Sequence, residues 1–176
     1  MRKKERAMRK WKIWLAALLV LAISGGIFAY TALTGTSTIT VSGGGTEYAT
    51  VTPVGYSWST KPVGGGQIGG VETGTLYTVA RDSDYTGDLV FTLTLTNTDE
   101  LVSNYVYLNI EIQVSDNVSA EVTTEWITLE EAAVELVVPA AKSSPFTVKV
   151  TDGTYRTEKG VDPTTSPVFH IRVRQK

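Results

Sequence analysis

Hydrophobic and polar residues alternate with period two along most of this chain. Leu89, Phe91, Leu93 and Leu95 alternate with Val90, Thr92, Thr94 and Thr96. Val106, Leu108, Ile110, Ile112 and Val114 alternate with Tyr105, Tyr107, Asn109, Glu111 and Gln113. The pattern returns at Phe146, Val148 and Val150, and again at Phe169, Ile171 and Val173. A strand turns successive side chains to opposite faces, so each run predicts a strand with one buried and one wetted face. Less regular strands are expected at 47–54, 75–81, 120–128 and 134–138, bounded by Gly, Pro, Asp and Asn. Thr128 and Glu131 have capping-box spacing and predict one helix over Thr128–Val134. Eight or nine short strands in one domain predict an all-β fold, a single β-sandwich of jelly-roll or Ig-like type, over residues 46–176.

The alternation is absent from the N-terminus, where an apolar run extends from Ile13 to Leu33. That is close to the ~20 residues a helix needs to span a bilayer. Its strongest stretch, Ile13–Ile23, ends at Ser24-Gly25-Gly26 and is followed by Ile27-Phe28-Ala29. This has the form of a signal-peptide core with a small-residue cleavage site, which predicts a mature start near Tyr30. Trp11 and Trp14 stand where an interfacial aromatic belt would lie, which suits a retained anchor. Residues 1–29 are therefore expected to be a signal peptide or an N-terminal membrane segment, with membrane contact confined to residues 13–33 before processing.

Residues 30–45 form a separate segment. From Thr34 through Thr36, Thr38 and Thr40 to Ser42 every even position is a hydroxyl residue, while Ile39 and Val41 are apolar. Gly43, Gly44 and Gly45 follow as a hinge. Such a strand has two uses: it folds back as the first strand of its own sheet, or it extends to the open sheet edge of another copy.

Charge sharpens the division. Residues 1–12 hold seven basic side chains and one acid, leaving nine basic and seventeen acidic residues, a net −8, for the remainder. The basic end is expected on the cytoplasmic side, with the acidic body exported. There is no cysteine, so disulfide staples, thiol catalysis and cysteine-based zinc sites are all excluded. The acidic body also disfavours nucleic acid as a partner.

The stretch from Asp88 to Leu101 (DLVFTLTLTNTDEL) and that from Tyr105 to Ile112 (YVYLNIEI) resemble the strand–turn–strand core of exported filament subunits. The group comprises TasA-type biofilm fibres, archaeal bundling pili and archaeal cannula subunits. Gly25-Gly26-Ile-Phe-Ala-Tyr30 is similar to the ending of signal peptides on TasA-like proteins, and Ser166–Arg174 to a closing strand of cannula subunits. The chain is shorter than TasA and lacks its long helical insertions. The resemblance implies that the mature N-terminal strand completes the sheet of the neighbouring subunit, a role that falls here to Thr34–Ser42. It also implies bound calcium for the cannula relationship.

Asp82, Asp84 and Asp88, around a glycine-containing turn, are the best local candidates for Ca²⁺, a hard cation wanting six to eight oxygens. Position 93 is Leu, so the bidentate Glu of an EF-hand is missing, and Asp, Ser and Gly are also what any turn uses. Asp99-Glu100 and Glu130-Glu131 read as solvated turns. His170 is the only histidine, and no carboxylate is placed by sequence to orient it. It shares a face with Arg172 and Arg174, a basic stripe that suits either an acidic surface or a solvated edge resisting unwanted pairing. Gly64–Gly70 lacks the Lys-Ser/Thr of a phosphate loop and reads as a flexible loop. Tyr56, Trp58, Tyr105 and Tyr107 suit either sugar stacking or packing. Asn117-Val-Ser119 fits a glycosylation acceptor. No nucleophile–base pair is recognisable, which argues against an enzyme. Two expectations remain: a secreted homopolymer assembling into an extracellular filament or tubule by strand donation, or a membrane-tethered monomeric binding module on the cell surface.

Overall fold

In the computed structural model every long alternating run is a strand, and the strands form two main sheets. The structure describes residues 36–38, 40–42, 48–59, 66, 68–118, 120–158 and 165–176, with backbone alone at 36–38, 40–42 and 57–59. The signal-peptide or membrane segment, Thr34, Ile39 and the Gly43–Gly45 hinge lie outside the described residues.

The larger sheet runs β3 (Ala49–Pro53), β6 (Gly74–Arg81), β11 (Phe146–Thr157), β8 (Tyr105–Ser115) and β9 (Glu121–Thr128). β5 (Ile68–Gly70) continues the line of β6 along the far end of β11. The smaller sheet runs β10 (Ala133–Val138), β7 (Leu89–Leu95), β12 (Val168–Gln175) and β2 (Thr40–Ser42). A two-stranded ribbon joins β1 (Thr36–Thr38) to β4 (Ser57–Ser59). All pairings are antiparallel except β2 with β12, which is parallel. From β6 onward the chain crosses between the sheets at each connection except β8 to β9. This is an all-β, sandwich-like architecture.

The core is what the alternation predicted. Leu89, Phe91, Leu93 and Leu95 of β7 and Phe169, Ile171 and Val173 of β12 face Leu108, Ile110, Ile112 and Val114 of β8 and Phe146, Val148 and Val150 of β11. Phe91 and Phe146 meet edge-on across the core at 6.0 Å, and Tyr105 meets Tyr155 at 5.7 Å. Burying each large aliphatic side chain contributes about 1.5–3 kcal/mol. Tyr77 also ties the sheets together directly, its hydroxyl donating to the Phe169 carbonyl oxygen at 2.9 Å.

Three local expectations are corrected. Thr128–Val134 is not helical: Thr128 N–H bonds to the Glu131 oxygen, Glu131 N–H bonds to Thr128 Oγ1 at 2.9 Å, and β10 begins at Ala133. The Thr–Glu spacing serves a turn that moves the chain from one sheet to the other. Among the described residues the one helical segment is the single turn α1, Thr98–Val102, where Asp99-Glu100 read as a solvated turn. Asp99 and Glu100 occupy its first turn, where carboxylates suit the positive end of the helix dipole. Within the glycine-rich stretch, Ile68–Gly70 is a strand. A Cβ on Gly69 would collide with the Tyr155 ring, so the missing side chain is what lets β5 lie against that aromatic.

Candidate functional site

The alternation Phe169-His-Ile-Arg-Val-Arg174 makes β12 a strand with an aliphatic inner face and a polar outer one. β7 covers one of its edges from Phe169 to Gln175. The inner rows run Val134–Leu93–Ile171 and Leu136–Phe91–Val173 across three strands. On the other edge, β2 pairs with Val168, Phe169 and His170 only, in the register Thr40 to Val168, Val41 to Phe169 and Ser42 to His170. Among the described residues no strand pairs with that edge from Ile171 to Gln175.

Asn97 and Thr96 hold the start of β12 in place. Asn97 Oδ1 accepts from Val168 N–H at 2.8 Å, its Nδ2 donates to the Ser166 oxygen at 2.9 Å, and Thr96 N–H donates to the Val168 oxygen at 2.8 Å. The start of β12 is therefore held from its β7 side by one backbone bond from Thr96 and two side-chain bonds from Asn97.

The two margins of the larger sheet, β9 and β3, are defended. Glu125 stands opposite Ile112, at a core-facing position of the margin strand β9, and is exposed. An inward-pointing charge of this kind blocks addition of another strand. β3 is short and ends at Pro53. Beyond it Val54 and Gly55 N–H both bond to the Leu76 oxygen, and Gly55 has φ 65°, a left-handed conformation that favours glycine. The open half of β12 has neither a proline nor an inward charge. Its polar face presents exposed Arg172, next to exposed His170 of the paired half, while Arg174 makes a two-oxygen ion pair with Glu135 at 2.9 and 3.1 Å.

Of the strand-donor residues, Thr36 and Thr38 fall in β1, and Thr40, Val41 and Ser42 fall in β2. Within the single chain both strands pair with the domain that follows them.

Asp82, Asp84 and Asp88 are not brought together around a common point. Asp82 Oδ1 accepts from Asp84 N–H at 3.0 Å, as a turn former does, and Asp88 Oδ1 accepts from Ala140 N–H at 2.8 Å in another loop. Among the described residues no group of three or more His, Asp or Glu converges on a metal position. Tyr105 is buried against Tyr155, and Tyr56 lies over Gly74 with its hydroxyl donating to the Glu72 oxygen, while the Trp58 side chain lies outside the described residues. Tyr107 lies beneath the Arg156 guanidinium at 5.7 Å. Asn117 and Val118 are exposed, and Ser119 lies outside the described residues. A shallow cleft of about 390 Å³ between α1 and the β9–β10 turn is lined by Val102, Ser103, Asn104, Val106, Glu130 and Glu158, and the Ser103 hydroxyl donates to the Glu100 carbonyl oxygen at 2.6 Å. Burial pushes the Tyr56 hydroxyl well above the ordinary tyrosine range, and the nearby Glu72 carboxylate adds to the shift.

Sequence reasoning missed Asn97, Arg81 and Glu125. Arg81 donates to the Ala140 and Pro139 oxygens at 2.7 and 2.9 Å and stacks over Phe146 at 5.3 Å, so it anchors the loop before β11. Only Glu125 carried a signal, as a charge at an even step from buried Ile127. No protein-family model matches this chain, and no curated protein matches its sequence.

Proposed function

We propose that this chain is an exported structural subunit whose residues 34–42 leave their own domain and complete the smaller sheet of the next copy, building a filament or tubule outside the cell. One observation carries the reading: β12 continues for five residues, Ile171–Gln175, beyond the three that β2 covers. A partly filled margin beside a glycine-jointed terminal strand is the arrangement strand exchange requires. The relation is head-to-tail, so it need not close and can propagate. The −8 body and the apolar leader support export, the sandwich is of jelly-roll or Ig-like type, and the partners are other copies rather than nucleic acid or a substrate.

A second reading has its own observation. The cis pairing of β2 with β12 gives the single chain a closed start to that margin, which favours a membrane-tethered monomeric module. Deletion separates the two. A chain lacking residues 30–42 is expected to form no filaments by electron microscopy and to bind added Thr34–Ser42 peptide. The same peptide with Ile39→Asp and Val41→Asp is expected not to bind. Filaments of normal length from the deleted chain would refute strand donation, and an intact chain that stays monomeric supports the tethered module.

A further inference from the structure

We infer that, in a second copy, the incoming strand runs parallel to β12 but advanced by four residues from the register seen within the chain, moving Thr40 from Val168 to Arg172. This rests on the strand-exchange reading above and specifies its interface: Thr36–Ser42 lie along Val168–Arg174, with Ile39 beside Ile171 and Val41 beside Val173.

The parity of the strand restricts the choice. The core-facing positions of β12 are Phe169, Ile171 and Val173, so an added strand buries Ile39 and Val41 only where it sets them beside odd positions of β12, as the cis register sets Val41 beside Phe169. An advance by one or three residues would turn Ile39 and Val41 to solvent. An advance by two keeps the faces but leaves the end of β12 uncovered. An advance by six sets Val41 beside Gln175, which is exposed. An advance by four puts both aliphatic residues at the ends of rows that are already apolar, Val134–Leu93–Ile171 and Leu136–Phe91–Val173. It also sets the hydroxyls of Thr38, Thr40 and Ser42 beside His170, Arg172 and Arg174 on the outer face.

The cis register stops short for a visible reason. Thr36–Thr38 are held by Ser57–Ser59 of the same chain, and the β2 strand follows directly after them. A strand arriving from another copy leaves that tether behind and is free to seat more deeply.

The chain has no cysteine, so introduced thiols report without background. Full-length Thr40→Cys protein is mixed with Val168→Cys, His170→Cys or Arg172→Cys protein. Each variant is first checked for native circular dichroism and filament formation, and the mixtures are then oxidised with diamide. Two single-cysteine chains can cross-link only between copies. A heterodimer predominantly with Arg172→Cys is the expected result. A heterodimer predominantly with Val168→Cys or His170→Cys would overturn the advanced register while leaving strand exchange standing. Absence of all three heterodimers would also overturn it, and the deletion of residues 30–42 then tells whether exchange itself survives.

Discussion

Asn97 shows how much one side chain can decide in a β-domain. Its amide satisfies a backbone donor and a backbone acceptor on the strand that opens β12. Asn97→Ala leaves the Val168 N–H without its partner, and an orphaned backbone donor costs about 1–3 kcal/mol. The expected outcome is a lower thermal midpoint, measured by circular dichroism, together with faster amide exchange at Val168. Gly69 makes the opposite point, because there the absence of a side chain is what matters. Gly69→Val forces the Tyr155 ring aside, and overpacking of this kind costs about 1–3 kcal/mol. A midpoint equal to wild type would show that the ring has room to move. Tyr56 links a residue to pH. Its folded-state pKa is raised, so the native chain keeps the phenolic proton where the unfolded chain loses it. Stability is therefore unaffected below the ordinary tyrosine range, about 10, and falls as pH rises through and beyond it. Urea midpoints between neutral and strongly alkaline pH should fall less steeply in Tyr56→Phe.

At the level of strands, Glu125 is the feature to test. Glu125→Val should leave the monomer at least as stable, since a strand favours valine and the opposite residue is Ile112. It should also raise light scattering at high protein concentration, because β9 then presents an undefended margin. Unchanged scattering would mean that another feature of β9 protects it. The strands themselves were legible because period-two alternation follows from one-sided burial, and β7, β8, β11 and β12 are buried on one face. The errors share a cause. Thr128 and Glu131 carry a local signature that a helix start and a reverse turn both satisfy, and only the crossing between sheets decides between them. Ile68–Gly70 lacks strand propensity and becomes a strand through the Tyr155 ring and the end of β11, contacts distant in sequence. The candidate margin was half legible. The proposed donor could be read from Thr34–Ser42 and the glycines after it, whereas the margin proposed to receive it depends on strand order, which no single segment encodes.

For the whole molecule, charge and assembly act against each other. If the body carrying −8 polymerises, copies must approach against their own repulsion. Salt shortens the reach of that repulsion to about 10 Å at 0.1 M. Assembly followed by light scattering should therefore speed up with ionic strength. A rate that falls with salt would point instead to attraction between Arg172 or Lys176 and an acidic surface on the next copy.

The parallel pairing of β2 with β12 has a mechanical consequence. The N-terminal chain enters at one pole of the domain, where Thr40 meets Val168, and the C-terminus leaves at the other, beyond Gln175. Tension applied between the two termini therefore slides these strands along each other, so all the bonds between them bear load together. Tension applied at Thr36 and Val168, on the same pole, peels them apart one at a time. Single-molecule pulling should need a larger force to detach β2 in the first geometry than in the second. The parallel order of β2 and β12 is thus the one that resists load directed along the two strands.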